Sequence, residues 1–410
     1  MYKYIIIFVL PLLLSANLTY QSNYNKEVAL LNSFDIEPSF LYDPIMSDMR
    51  AENSSFNQNK HFFETMSKAY IFIPSIKNTL SQYNIPKEFL YLAMAESNFK
   101  TRAYSSKRAA GLWQFMPRTG RSFKLKIDNY VDERRDLIKS TKAAAKYLTA
   151  LHKRFGKWYL AAIAYNCGGN RLSKAIKKAG SDDLKILLES KKKYIPRESR
   201  YYIRKIVALA LIGNDEKHML SSEYEYLLNR ADAYSISTVK VPPGESLKRV
   251  SQLINIPHAQ LKELNRHLKY DFVPPYSKDY DIYIPYVKLS DFKQKYYKSP
   301  IENIYRLHIV KSGDNLSDIG KKYGVSYKVI KDFNKLRNNR LSLKQKLIIP
   351  VSKTGKFKKI KSQTTYYRVR SGDSLGSISE KYHVSIENLK YKNHIKGSMI
   401  RIGRRLKIYE

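Results

Sequence analysis

Hydrophobic and polar positions divide the chain into stretches of different period. At the N-terminus, Lys3 precedes an apolar run from Tyr4 to Leu14, followed by Ser15-Ala16. That order and length predict a secretory signal peptide over residues 1–16, shorter than a bilayer-spanning helix needs. An uncleaved anchor is the alternative. Residues 17–60 are polar and poorly periodic, with Pro38 and Pro44 interrupting them, and predict an extension that either wraps the next domain or stays loose.

A helical period then takes over. Phe62, Met66, Tyr70, Ile73 and Ile76 predict a helix over His61–Tyr83, stopped at Asn84-Ile85-Pro86. Pro86 reads as the first-turn proline of the next helix, whose run Phe89-Leu90-Tyr91-Leu92-Ala93-Met94 must be buried and is closed by Glu96. Thr119-Gly120 predicts a turn. A long helix is expected from Asp132 to Phe155, apolar at Leu137, Ala143, Ala144, Tyr147 and Leu151, with Asp132, Glu133 and Asp136 complementing its dipole. Trp158 to Tyr165 is almost wholly apolar and predicts a core helix ended by Gly168-Gly169, followed by shorter helices over Arg171–Ala179 and Ser199–Ile212. Together these make one all-α domain over residues 62–214.

Beyond it, short strand and helix signals repeat. Val310-Lys311-Ser312-Gly313-Asp314 aligns with Val369-Arg370-Ser371-Gly372-Asp373 at an offset of 59 residues, which also pairs Leu316 with Leu375, Ile319 with Ile378, Tyr323 with Tyr382, Asn334 with Asn393 and Leu347 with Leu406. No gap is needed, so residues 305–351 and 365–410 are two copies of one strand–helix–helix–strand module. A weaker copy over residues 237–287 starts at Val241-Pro242-Pro243-Gly244-Glu245 and keeps Leu247, Val250, Ile254, Leu261 and Asn265 in register. There Pro242-Pro243 replaces Lys-Ser and Asp is absent, so a structural spacer and a ligand-binding copy are equally good readings. Leu289–Asn303 and Ser352–Thr365 are Lys-rich and predict flexible linkers.

Composition narrows the setting. At 410 residues the chain exceeds one core, and two to four units are expected. Its 74 Lys plus Arg against 36 Asp plus Glu give a formal charge of +38, which points to a polyanionic neighbourhood: nucleic acid, anionic lipid or an acidic wall polymer. The excess is spread over linkers and modules, as a generally solvated basic surface would be. The 34 Tyr and 16 Phe supply platforms for bases or for sugars. Cys167 is the sole cysteine, so no intramolecular disulfide forms and no N-terminal cysteine is expected for lipidation; its thiol reads as packing.

The candidate chemistry centres on Glu96. From Ser97 to Ile127 there is no Asp or Glu, so this carboxyl is the sole acid in a segment rich in Lys, Arg, Ser and aromatic residues. Burial at the end of an apolar helix raises a carboxyl pKa, as a general acid requires. Glycosidases ordinarily use two carboxylates, and one is missing here.

The ordered motifs Glu96-Ser97-x-Phe99, Ser105, Gly111-Leu112-Trp113-Gln114 and Ala164-Tyr165-Asn166, the last followed by Cys167-Gly168-Gly169, resemble the lytic transglycosylases of bacterial cell walls, whose catalytic domain is related to goose-type lysozyme. The resemblance covers roughly Phe62 to Tyr202, and the C-terminal modules, which resemble LysM domains that bind N-acetylglucosamine polymers, extend it to nearly the whole mature chain. The fold class implied is multidomain α+β: an all-α lysozyme-like catalytic domain followed by small βααβ LysM modules.

The resemblance also implies a mechanism. Glu96 protonates the oxygen linking N-acetylmuramic acid to N-acetylglucosamine, then as a carboxylate takes the proton of the muramic C6 hydroxyl, which attacks C1 and gives a 1,6-anhydro product. Ser105 would contact an N-acetyl or muramic group, Gln114 and Asn166 would hold sugar amides or hydroxyls, Tyr165 would hydrogen-bond Glu96, Met116 would line an acetamide pocket, and Tyr202 would shape the cleft floor. Gly313, Asp314, Gly372 and Asp373 would hold glycan in the LysM turns. Trp113 reads as a core anchor. Arg108 stands where relatives often carry glycine.

No cofactor and no metal are implied. The expected partner is the peptidoglycan glycan strand, not nucleic acid, in the periplasm or envelope of a Gram-negative-type bacterium. Peripheral or signal-anchored membrane association stays open, and the oligomeric state is not indicated. Two alternatives stand beside this reading. One is a muramidase-type hydrolase, with Asp128, Asp132 or Asp136 folding into the cleft; the other is a non-catalytic peptidoglycan-binding protein, against which the intact motifs argue.

Overall fold

The structure, a computed structural model, describes residues 23–54, 56–215, 236–275, 279–297, 303–352, 364–382, 386–395 and 397–409. The signal peptide expected over residues 1–16 lies outside them, as does almost all of the Ser352–Thr365 linker. Chain contacts form two units: the described residues up to 237 with 265–269 and 285–287, and the rest.

Up to residue 215 the regular elements are helices: α1 (residues 23–33), α2 (Pro44–Ser54), α3 (Phe56–Ala69), α4 (Ile73–Gln82), α5 (Leu90–Ser97), α6 (Pro117–Ser122), α7 (Leu137–Phe155), α8 (Trp158–Cys167), α9 (Gly169–Ala179), α10 (Leu184–Leu187) and α11 (Arg197–Gly213). The core forms around α8, whose residues Tyr159 to Ala164 are all buried. Its alanines let α7 and α11 approach closely, and α11 also packs on α5 and α2.

The structure decides or corrects four expectations. Of the two readings of the polar extension, the wrapped one holds from residue 23: Leu31, Phe34 and Met46 are fully buried. Asp43 takes a two-point pair from Arg204 of α11 at 2.8 and 2.7 Å. Asp35 Oδ2 accepts from the first N–H of α8, that of Trp158, at 2.7 Å. Second, the helix expected over His61–Tyr83 is two, because Pro74 sits in the first turn of α4, where no N–H is needed, and its ring cannot continue α3. Third, the helix expected from Asp132 begins at Leu137, capped by Asp136 Oδ1, which accepts from Ile138 N and Lys139 N at 3.0 and 2.8 Å; Pro86 likewise precedes a 3-10 turn, Lys87–Phe89, that leads into α5. Fourth, the Lys-rich stretch after Leu289 is folded as far as Tyr297. A π-helical turn over Phe292–Tyr296 buries both end residues, with rings stacked at 4.4 Å.

From residue 236 on, the chain carries three copies of one module. The first has β1 (Ile236–Val241), α12 (Leu247–Leu253), α13 (His258–Leu264) and β2 (Tyr280–Pro285). The second has β3 (Asn303–Ile309), α14 (Leu316–Tyr323), α15 (Tyr327–Phe333) and β4 (Lys346–Ser352), and the third β5 (Thr364–Arg368), α16 (Leu375–Lys381), α17 (Ile386–Lys392) and β6 (Arg405–Tyr409). Each forms a two-stranded sheet, antiparallel in the second and third copies. Residues related by the repeat fill equivalent cores: Val310, Leu316, Ile319 and Leu347 in one, Val369, Leu375, Ile378 and Leu406 in the other. Asn334 explains the recurring asparagine. Its Nδ2 donates to Ile330 O and Ile348 O at 2.8 Å while its Oδ1 accepts from Ile348 N at 2.7 Å, fastening helix to strand, and Asn393 does the same with Leu389 and Lys407. Among the described residues no helix is long and apolar enough to cross a membrane.

Candidate active site

Helix α5 delivers Glu96 on its last turn, behind the buried run Leu90 to Met94. Asn98 and Phe99 follow with φ of 48° and 55°, and this left-handed pair reverses the chain directly after the carboxylate. Asparagine tolerates that region, whereas a phenylalanine held there stores backbone strain of roughly 1–3 kcal/mol. Ser97 Oγ donates to Leu112 O at 2.8 Å, which stitches the end of α5 to the loop bearing Gly111 to Gln114.

That loop is held from beneath by Arg134. Its guanidinium is buried, pairs with both oxygens of Asp132 at 2.9 and 2.8 Å, and donates to Arg108 O at 2.6 Å and Phe115 O at 3.0 Å. A buried charge is tolerable where it is paired and hydrogen-bonded in this way. Arg108 adopts φ 67°, the left-handed conformation for which glycine is the usual residue. Gly111, at φ 80°, has no alternative: a Cβ there would stand 1.9 Å from Arg134 O. Trp113 is fully buried and donates from Nε1 to Thr141 Oγ1 at 2.9 Å, a core anchor as expected.

The hydroxyl that meets Glu96 is not the expected one. Tyr202, on α11, donates to Glu96 Oε1 at 2.5 Å, while the Tyr165 hydroxyl donates to Trp113 O at 2.8 Å and so braces the loop. Tyr202 therefore addresses the acid itself and is more than cleft floor. One helical turn further along α11, Lys205 Nζ donates to Ala95 O at 3.0 Å. Burial pushes the Glu96 carboxyl up to about 7; the Tyr202 hydrogen bond and the Lys205 charge hold it lower than burial alone would, and the Glu198 charge adds to the rise. Tyr202 and Tyr165 are themselves driven well above the ordinary phenol range by burial, with Glu96 contributing, so both stay neutral donors.

The other expected residues are engaged within their own loops and helices or exposed. Gln114 takes φ 47° and folds its Nε2 onto Gly111 O at 2.8 Å. Asn166 Oδ1 accepts from Ser199 Oγ of α11 at 2.6 Å. Ser105 Oγ accepts from Ala109 N at 3.0 Å, a contact that shapes its own loop, and Met116 is 42% exposed just before α6. The Cys167 thiol is pushed up by burial and stays protonated. Arg134 and Lys205 went unseen in the sequence, and Ser97 was read only as part of its motif; the spacing of Tyr202 and Lys205, three residues apart on one face of α11, was the signal available for the lysine.

The three acids weighed as a second catalytic group are otherwise engaged. Asp128 Oδ1 accepts from Tyr130 N and Val131 N at 2.7 and 2.9 Å, Asp132 is paired with Arg134, and Asp136 caps α7. Among the described residues no cluster of three or more His, Cys, Asp or Glu is placed to hold a metal. In the repeats, Gly313 and Gly372 both take φ 84°, and the acids after them lock the turns: Asp314 Oδ2 accepts from Lys311 N at 2.7 Å and meets His308 Nε2 at 2.8 Å, while Asp373 Oδ2 accepts from Arg370 N and Tyr367 Oη, each at 2.7 Å.

Known proteins resemble this chain in sequence. Residues 74–188 match the family described as transglycosylase SLT domain, residues 235–300 the LysM-like domain of lytic transglycosylase MltD, and residues 308–350 and 367–408 the LysM domain. The membrane-bound lytic murein transglycosylase D of Escherichia coli K12 is 29% identical over 360 residues, covering 83% of this chain and 77% of its own. A putative tributyltin chloride resistance protein of Alteromonas sp. strain M-1 is 40% identical over 111 residues, 27% of this chain and 54% of that one. Among solved structures, the 70 kDa soluble lytic transglycosylase of Escherichia coli is 22% identical, over 36% of this chain and 26% of that one, with a TM-score of 0.28.

Proposed function

We propose that this chain, a lytic transglycosylase built of an SLT domain and LysM modules, uses Glu96 alone as acid and then base to cut the β-1,4 bond between N-acetylmuramic acid and N-acetylglucosamine, leaving 1,6-anhydromuramic acid. The observation that carries this reading is the half-buried Glu96 carboxyl, raised to about 7 and met at Oε1 by the Tyr202 hydroxyl. A carboxyl balanced near neutrality is protonated often enough to give a proton and acidic enough to take one back.

With Oε1 receiving the Tyr202 hydrogen, the acid proton is carried on Oε2. Its transfer to the glycosidic oxygen accompanies breakage of the C1–O bond, and the N-acetylglucosamine chain leaves with that proton. The Glu96 carboxylate, now steadied by Tyr202 and by the nearby Lys205 ammonium, removes the proton of the muramic C6 hydroxyl as O6 bonds to C1. Glu96 ends protonated, ready for a further turn, and no water is consumed.

Around that centre Gln114 and Asn166 hold sugar amides or hydroxyls, Tyr165 keeps the loop of Gly111 to Gln114 closed over the core, and Ser105 and Met116 border the N-acetyl groups. The turns at Gly313-Asp314 and Gly372-Asp373 take the wall glycan. Residues 1–16 direct export, which puts the enzyme in the periplasm beside its substrate. A zymogram with purified sacculi tests the assignment. Glu96→Gln is expected to lose the cleared band while still sedimenting with sacculi, and a band of wild-type intensity would refute it.

A further inference from the structure

The first repeat keeps the strand and helix order of the other two but builds its turn differently. In the later copies the turn is held open by a backbone N–H: Lys311 N and Arg370 N donate to Asp314 and Asp373 at 2.7 Å, and apart from the adjoining residues no heavy atom of the described residues lies within 4 Å of a Cβ added to Gly313 or Gly372. In the first copy Pro242 stands where those residues do and has no N–H to give. The acid that follows, Glu245, turns inward. It is fully buried, with Oε1 accepting from Ser246 N at 2.8 Å and Oε2 from Arg249 Nη1 and Tyr296 Oη at 2.8 and 2.7 Å.

The outside of the same turn is covered by the chain itself. A Cβ on Gly244 would come within 2.9 Å of Tyr305 O and 3.0 Å of Ile304 Cβ, both on β3. Tyr305 N donates to Gly244 O at 3.0 Å. Residues 271–273 lie along the other side, where Leu247 N donates to Asp271 O and Val273 N to Glu245 O, each at 2.9 Å, and the Phe272 ring meets that of Tyr305 at 5.6 Å.

We infer that the first repeat, residues 236–297, takes no glycan and serves as a bracket that grips the opening strand of the second repeat. The surface through which the later copies meet sugar is, in the first, filled by Ile304, Tyr305 and residues 271–273, and its acid is fully buried. Wall binding by this chain is then divalent, through the turns at 311–314 and 370–373. The inference rests on reading those two turns as glycan sites, and its test separates the two.

Hydrogen–deuterium exchange on the full chain carrying Glu96→Gln, with and without an N-acetylglucosamine hexamer, decides it. Without sugar, amides over residues 244–248 and at Tyr305 are expected to exchange at least tenfold more slowly than those over 311–317 and 370–376; equal rates would overturn the bracket. With sugar, protection is expected over the two later turns and none is added over 242–248, where added protection would overturn the inference. Absence of protection at the later turns strikes the glycan reading, and the sugar-free rates still judge the bracket. Adding Asp314→Ala and Asp373→Ala together should cut binding of the hexamer to these modules at least tenfold, and hexamer-dependent protection surviving over 242–248 in that variant would again overturn it.

Discussion

Tyr202 and Glu96 lie 106 residues apart in the chain and share one hydrogen bond of 2.5 Å, with the phenol donating to Oε1. Because this bond favours the ionised carboxyl, Tyr202→Phe is expected to raise the Glu96 pKa by roughly one to two pH units, the equivalent of about 1.5–3 kcal/mol for a hydrogen bond to a charged group. The alkaline limb of the rate profile should move up with it, and the maximal rate should fall on the order of tenfold as the carboxylate loses its orientation. A profile of unchanged position would show that the bond does not matter to the acid.

Glu96 also makes stability depend on pH. Its carboxyl sits at about 7 in the folded chain against the ordinary 4.5, so folding disfavours the ionised form. The penalty is absent below pH 4.5, grows between the two values and is complete above about 7, where it amounts to up to about 3 kcal/mol. Glu96→Gln should therefore melt higher than wild type at pH 8 and at the same temperature at pH 4. Calorimetric scans at the two pH values check this.

Two charges on α11 act on the acid in opposite senses. Lys205→Ala removes a cation that lowers the Glu96 pKa and should move the alkaline limb upward, with Lys205→Arg restoring it. Glu198→Gln removes an anion that raises the pKa and should move the limb downward while leaving the anhydro product intact. If Glu198→Gln abolished cutting instead, Glu198 would be the base of an inverting hydrolase, and its exposed position on α11 makes it the carboxylate to test.

Arg134 holds the loop of Gly111 to Gln114 through Asp132, Arg108 O and Phe115 O. Arg134→Met leaves a buried carboxylate and two carbonyls without their donor and is expected to cost about 3–5 kcal/mol in urea unfolding. Asp132→Asn/Arg134→Gln should recover part of that loss. Gly111→Ala should be at least as harmful, since its Cβ has no room beside Arg134 O.

What could be read from the sequence followed the range of the interactions. The buried helix that ends at Glu96, the core helix at Trp158 and the 59-residue repeat were legible because each rests on spacing along the chain. Which tyrosine meets Glu96 was not, since Tyr165 and Tyr202 arrive from different helices and only the packing of α8 against α11 decides between them. The break before Pro74 was available in the chain but outweighed by a continuous apolar stripe. In the Lys-rich stretch after Leu289 the charge count hid Phe292 and Tyr296, four residues apart, which anchor it. For residues 23–54 the few apolar positions left wrapping and looseness both open, and the burial of Leu31, Phe34 and Met46 decides for wrapping.

The mass of the muropeptides released from sacculi tests the central claim most directly. If Glu96 serves as both acid and base and the C6 hydroxyl is the nucleophile, the released muramic termini are anhydro forms, lighter by one water than the reducing sugars and unaffected by borohydride. Termini that are reducing muramic acid, and that take up oxygen-18 from labelled water, would contradict it.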